Sequence, residues 1–480
     1  MRVFHSFSIL FLLTLSIAHS HAKQPHVVFI LADDMGYGDL GCYNPESKIP
    51  TPNIDSIARE GMRFTDAHSG GPVCVPSRYS LLTGRYAFRR EMAPWREEPL
   101  IADGQPTIAS VLKTQGYRTA MVGKWHLGFR EEGYDKPLPG GPVDRGFDSY
   151  FGIRASTDIP PYFYIRDNRA VEAPTDHIEA HNTEGWSDIQ GAYWREGGIA
   201  PGFKLEEVTP RFTEEAVGVI EDHAASKTEN PLFLYLAFPS PHTPWLPSAT
   251  FEGKSGAGLY GDFLTMVDAQ VGKVLAALER AGMKENTLLF FSSDNGPIWY
   301  DRDVERFGHD STGGLRGMKA DTWEGGHRVP LIVRWPGVVE AGSVSHHLVS
   351  FTDLLATLAA VSGAELPAEA GPDSFSFLPV LQGTQDPASP VREFLVVTSS
   401  HTAIRSGPWK YIDHLGSGGF ISQPRTVEPE AGGPTGQLYN LEKDLGETTN
   451  LALEHPEIVE RLSAELERIL GSERTRTSQQ

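Results

Sequence analysis

The run His26-Val27-Val28-Phe29-Ile30-Leu31-Ala32-Asp33-Asp34 sets the reading of this chain. From His26 to Leu31 it is almost wholly apolar and shows no alternation. That is the composition of a strand covered on both faces, as in a parallel sheet. It then ends in two carboxylates. Three more runs repeat the pattern. Tyr117–Val122 leads into Gly123-Lys124-Trp125-His126, Leu232–Ala237 into Ser240-Pro241-His242, and Thr287–Ser292 into Asp294-Asn295-Gly296. Helical patterns alternate with them. One is Pro52–Glu60, with Thr51 as N-cap and Pro52 in the first turn. Another is Tyr260–Arg280, where Leu264, Val267, Val271, Val274 and Leu278 recur at helical spacing before the stop at Gly282. The alternation predicts an α/β fold, a large, mostly parallel mixed sheet flanked by helices. No internal repeat is present.

Residues of about 132–204 are rich in Gly, Pro, Tyr and Trp with little periodicity, and read as loops inserted over the sheet. Beyond Pro367 the pattern changes. Phe394–Thr398, Thr402–Arg405 and Trp409–Ile412 are short strands at hairpin spacing, and Pro456–Leu470 is an amphipathic helix. The chain therefore divides into a larger domain over 23–366 and a smaller α+β C-terminal subdomain over 367–480, built on a short antiparallel sheet and a helix. Residues 1–22 read as a secretory signal, with Arg2, an apolar stretch from Ile9 to Ile17 and a small-residue cleavage frame at Ser20-His21-Ala22. That stretch is too short to cross a bilayer and no other segment qualifies. The expectation is an exported protein, periplasmic or secreted, without a membrane anchor.

Lys and Arg number 42 against 62 Asp and Glu, a net charge of −20, which argues against a nucleic-acid partner. It leaves room for an anionic substrate, because local cations and a bound metal set the field inside a pocket. Only Cys42 and Cys74 are present, so the fold does not depend on disulfides; one bridge between them is open in principle.

Open α/β sheets bind ligands at the carboxyl ends of their strands. Singly, Asp33-Asp34 reads equally well as a turn, Asp294-Asn295-Gly296 as another, and Lys124 or His242 as a solvated loop residue. Four apolar strands that all deliver such groups to one edge point to a site. Asp33, Asp34, Asp294 and Asn295 offer hard oxygen ligands suited to Ca²⁺ or Mg²⁺. Arg78, Lys124 and Lys319 are donors for a tetrahedral oxyanion. His126 and His242 can move protons near neutral pH.

The stretch Gly71-Pro72-Val73-Cys74-Val75-Pro76-Ser77-Arg78, followed by Leu82-Thr83-Gly84-Arg85, resembles the modification site of the sulfatase family. Gly116-Tyr117-Arg118-Thr119-Ala120-Met121-Val122-Gly123-Lys124-Trp125-His126 is similar to its second signature, and Asp33-Asp34-Met35-Gly36-Tyr37-Gly38-Asp39 to its opening metal motif. Gly314–Lys319 with Glu324–Pro330 resembles the late lysine block, and Leu438-Tyr439-Asn440-Leu441 with Asp444 and Asn450-Leu451 the C-terminal ending. One position departs: Val75 stands where a small residue, Thr or Ser is usual.

The resemblance implies an alkaline-phosphatase-like fold with 23–366 as catalytic domain. Cys74 would be oxidised to formylglycine (3-oxoalanine) by a formylglycine-generating or anaerobic sulfatase-maturating enzyme. One hydroxyl of the hydrated aldehyde would attack sulfur, and the other, deprotonated by His126, would expel sulfate. Asp33, Asp34, Asp294, Asn295 and residue 74 itself would hold one Ca²⁺ ion, with Mg²⁺ the alternative. Arg78 and Lys124 would hold the nucleophile, Lys319 would bind sulfate, and His242 would protonate the leaving oxygen. An exported enzyme of this kind meets sulfated oligosaccharides or polysaccharides. The family resemblance leans to 6-sulfated galactose or N-acetylgalactosamine units. His309 and Asp310, just before the Lys319 block, and Arg154 and His177, in the inserted loops, are candidates for sugar contact or else plain loop residues. Two other readings stand: a phosphoester or phosphonate monoester hydrolase of the same superfamily, and a non-catalytic binder of sulfated glycans.

Overall fold

The computed structural model describes residues 24–92, 96, 98–386 and 388–476. The expected signal segment, 1–22, lies outside the described residues. Five strands run parallel side by side, in the order Thr287–Ser293, His26–Asp33, Leu232–Pro241, Arg118–Lys124 and Ser149–Ile153. Four of them are the apolar runs read from the sequence, and the residues of His26–Asp33, Leu232–Pro241 and Thr287–Ser293 are buried throughout. Leu331–Arg334, Met62–Phe64 and Ser343–Ser345 extend the sheet on one side, and Ile165–Arg166 and Arg169–Ala170 on the other, giving ten strands; these outer pairings are antiparallel except the parallel pair of Met62–Phe64 with Ser343–Ser345.

Two groups of helices cover the sheet. Pro52–Arg59, Val208–Ala225 and Gly258–Arg280 pack together, as do Cys74–Thr83, Ile108–Thr114 and Leu354–Ser362. Thr51 precedes its helix as expected but does not cap it. Its hydroxyl donates to Asp55 Oδ2 at 3.2 Å and accepts the Gly41 N–H. Both thiols are free. Among the described residues no helix is long and apolar enough to cross a membrane.

The C-terminal lobe is a four-stranded antiparallel sheet, Leu395–Thr398, Thr402–Ser406, Trp409–Ile412 and Gln437–Asn440, covered by the helix Pro456–Gly471 through Leu462, Leu466 and Ile469. Ala370, Phe377, Val380 and Leu381 are buried in the larger core rather than in this smaller one.

A buried charge cluster joins the lobes. Lys410 Nζ lies 3.0 Å from Glu324 Oε1 and 2.9 Å from Glu447 Oε1, the Glu324 N–H donates to Glu447 Oε2 at 2.6 Å, and Arg328 donates to Glu324 Oε2 at 2.9 Å. Glu324 and Arg328 follow Lys319 in one segment, so the cluster fastens that segment to the C-terminal sheet. Burial pushes the Glu447 carboxyl up from 4.5 to about 7, with Lys410 opposing and Glu324 reinforcing. The native state thus holds this proton more tightly than the unfolded chain. Its stabilising contribution is full below the unfolded pKa and is lost as pH rises through the folded one. Glu447→Gln cannot ionise. Urea unfolding midpoints should therefore show wild type losing ground to Glu447→Gln as pH rises from 4.5 to about 7; parallel curves would contradict the assignment.

Candidate active site

Position 74 opens the helix Cys74–Thr83, with Val73 as an extended N-cap whose side chain makes no capping bond. The first-turn N–H groups of this helix, without side-chain partners, form a positive end that suits negative charge. Arg78 follows one turn later on the same face. Its Nε donates to Asp294 Oδ2 at 2.9 Å, Nη2 to Asp33 Oδ2 at 3.1 Å and Nη1 to the Lys124 carbonyl at 3.1 Å. One guanidinium thereby ties together the ends of three strands. Lys124 Nζ is ion-paired with Asp33, and Lys319 Nζ lies 2.7 Å from Asp34. Cys74 Sγ is 3.5 Å from Asp33 Oδ1.

Backbone geometry aims these groups. Asp34 and His126, each just past the end of its strand, have φ of +62° and +59°. This left-handed conformation is strained for side-chain-bearing residues and concentrates at functional sites. The His126 N–H donates to the Arg154 carbonyl at 3.0 Å. Gly296 is required by close approach: a Cβ there would meet the Gly325 carbonyl oxygen at 1.8 Å. That contact seats the Asp294-Asn295 turn against the segment that follows Lys319.

The charges are coupled. Burial pushes the Asp33 carboxyl up, but the cations around it, Lys124 and Arg78 foremost, outweigh burial and hold it well below the carboxylate range. Burial, then Asp33, raise Asp294. Burial followed by the fields of Lys124 and Arg78 keeps His126 neutral, its pKa well below normal. Burial and Asp33 push the Cys74 thiol far up, so an unmodified thiol here stays protonated.

Asp33, Asp34, Cys74 and His242 each bring a ligand atom within 4.8 Å of the others, close enough to hold a metal. Asn295 donates through Nδ2 to Asp34 Oδ1 at 2.7 Å, while its buried Oδ1 has no hydrogen-bond partner. An orphaned amide oxygen beside three buried carboxylates fits a hard, oxygen-seeking cation.

A cavity of about 240 Å³ opens above these groups, with Cys74, His126, His242 and Lys319 in its lining. A larger one, about 600 Å³, lies between the lobes near Arg328, Arg392 and Arg405 and reaches none of them. The smaller cavity is where the chemistry converges. His242 donates from Nδ1 to the Thr243 carbonyl at 2.7 Å, and its Nε2 lies 3.6 Å from Asp34 Oδ2.

The four candidates for sugar contact are not brought to this cavity. His309 is buried behind it, with Nε2 donating to Asp39 Oδ1 at 2.8 Å and Nδ1 accepting the Lys48 N–H at 3.3 Å. Asp310 folds its own loop, accepting from Thr312 and Gly314. The Arg154 side chain pairs with Glu131, and His177 is exposed on the Asp176–Ile178 hairpin strand beside Glu179. The polar atoms of His309 and Asp310 are thus engaged within the protein. The sequence reading missed Asp39, which accepts from Gly36 N–H, Tyr260 and His309 and braces the Asp34 turn. It also missed Arg195, Ile298 and Phe420 in the cavity wall. Asp39 stood in the quoted opening motif, but its partners lie too far along the chain to be paired by eye.

The Sulfatase family model matches residues 25–364. An N-acetylgalactosamine-6-O-sulfatase of Bacteroides thetaiotaomicron is 34% identical, over 94% of this chain and 94% of that one. Human arylsulfatase A is 36% identical, over 92% of this chain and 86% of its own. A solved structure described under the metabolism of multiple glycosaminoglycans by Bacteroides thetaiotaomicron superposes with a TM-score of 0.82 at 32% identity, covering 94% of this chain and 100% of that one. With the edge-of-sheet constellation in place and these likenesses running along almost all of its length, the chain belongs to the sulfatase family.

Proposed function

We propose that this sulfatase is exported and hydrolyses sulfate esters of a saccharide, with a hydrated aldehyde made from Cys74 as nucleophile and one Ca²⁺ ion held by Asp33, Asp34, Asp294 and Asn295. The observation that carries this reading is the convergence of Arg78, Lys124, His126, His242 and Lys319 on position 74 at a helix N-terminus. A geminal diol at position 74 would supply an attacking hydroxyl and a second one whose deprotonation frees the sulfate. A bound cation would polarise a sulfate oxygen.

The chain's own residues do the rest. Arg78 and Lys124, both buried and ionised against Asp33 and Asp294, orient position 74. Lys319 offers Nζ to a sulfate oxygen. His126, neutral at rest, accepts a proton from the position-74 hydroxyl. His242, with Nδ1 fixed on the Thr243 carbonyl, presents Nε2 as the atom that gives a proton to the leaving oxygen. A sugar hydroxyl is a poor leaving group, so this proton counts more for a saccharide than for an aryl ester. Within the preference for 6-sulfated N-acetylgalactosamine or galactose, the first is supported by a relative named N-acetylgalactosamine-6-O-sulfatase.

Ion chromatography on aldehyde-verified protein, incubated with saccharides sulfated at different positions and with phosphate esters, tests the reading. Free sulfate from 6-sulfated galacto-configured sugars is expected; phosphate release in place of sulfate transfers the assignment to a phosphoester hydrolase, and binding without release to a glycan binder. His242→Ala should cost about 10²-fold or more in kcat on the sugar ester and far less on an activated aryl sulfate; equal losses on both remove it as the acid. Chelator treatment should abolish turnover and lower the melting temperature, and Ca²⁺ should restore both. Elemental analysis that finds zinc would go against the oxygen-only site.

A further inference from the structure

The wall of the active-site cavity contains a polar group that the mechanism does not use. Asp158, in the inserted loops, is 3% exposed. Its Oδ2 is ion-paired with Arg195, which also donates to the Asp158 carbonyl at 3.2 Å. Asp158 lines the same cavity as position 74, and its Oδ1 has no hydrogen-bond partner. His242 Nδ1 lies 3.9 Å from it, beyond hydrogen-bond reach, and that nitrogen already serves the Thr243 carbonyl. A buried carboxylate oxygen left without a donor is unfavourable, and a hydroxyl arriving with a ligand would relieve it.

The C-terminal lobe supplies the complement. Phe420 and Ile421 join Ile298 in the cavity lining, yet Phe420 remains 63% exposed. An exposed aromatic of this size is usually left to a mobile loop, but this one is fastened. Ser422 donates to Asp321, Thr322 N–H donates to the Ser417 carbonyl at 2.8 Å, and a Cβ at Gly419 would meet the Ala320 carbonyl oxygen at 2.9 Å. A rigid aromatic face beside a lone acceptor is the pairing a pyranose ring needs, with a C–H surface for the ring and a partner for its hydroxyl.

We propose that this cavity is a saccharide subsite in which Asp158 Oδ1 accepts a hydrogen bond from a free hydroxyl of the sulfated ring while Phe420 covers that ring's C–H face. The proposal rests on the sulfatase reading above and names how its substrate is told from a plain aryl ester.

The test measures kcat and KM for wild type, Asp158→Ala and Phe420→Ala on a sulfated sugar, on analogues lacking one hydroxyl each, and on 4-nitrophenyl sulfate. Asp158→Ala should lower kcat/KM on the sugar by about 10–100-fold and leave 4-nitrophenyl sulfate within about threefold. One deoxy analogue should be poor for wild type and no poorer than the parent sugar for Asp158→Ala. Phe420→Ala, at an exposed position, should raise KM for the sugar with kcat kept. Equal losses on both esters, or a deoxy penalty unchanged in Asp158→Ala, overturn the subsite, as does an unchanged KM in Phe420→Ala. Should wild type hydrolyse neither ester, the sulfatase reading itself fails; if it hydrolyses both and the variants keep the same ratio, only the subsite does.

Discussion

The guanidinium of Arg78 is the contact on which the rest depends. It bridges Asp33 and Asp294, at the ends of two neighbouring strands, and donates to the Lys124 carbonyl at the end of another. Three carboxylates, Asp33, Asp34 and Asp294, and three cations, Arg78, Lys124 and Lys319, are all buried at this edge. Buried charges are tolerated only when paired and hydrogen-bonded. The protein's own charges therefore cancel. Against that balance a bound dication would bring an excess of positive charge, which an anionic sulfate ester entering the same low-dielectric setting would offset.

Much of this was legible in the sequence because the central strands are covered on both faces. A run such as Leu232–Ala237 has no polar face to disguise it, and the polar residues beyond it mark where burial by the sheet stops. The same logic found the helix Gly258–Arg280 within two residues of its start. What stayed hidden depends on contacts between distant segments. Tyr260 and His309 meet at Asp39 across more than two hundred residues, so the sequence offered His309 as a candidate for sugar contact while its hydrogen bond to Asp39 stayed out of view. Ile298 and Phe420 belong to short apolar pairs in loops, where no period distinguishes a cavity wall from a surface side chain. Thr51 had the chemistry of a cap but found a better partner in Asp55.

The two lobes are likewise less separate than the change in sequence pattern suggests. The C-terminal lobe's sheet holds Lys410, whose ammonium is shared by Glu324 and Glu447, and Arg405 reaches across to Asp66 at 3.0 and 2.9 Å. Glu324 belongs to the segment that carries Lys319, while the loop with Phe420 is fastened to Asp321 and Thr322. The small lobe is thus part of the frame that sets one of the site's cations and one of its walls.

The helix Cys74–Thr83 is buried along nearly its whole length: Cys74 is 5% exposed, Ser77 0% and Arg78 1%. Under the proposed chemistry this imposes an order of events on biosynthesis. An enzyme that converts the thiol would have to reach residues that the finished fold buries. Conversion and folding then compete once for each molecule, and the outcome is permanent. A preparation would carry the ratio of those two rates as a fixed fraction of competent active sites, one that no later incubation with the folded protein could improve.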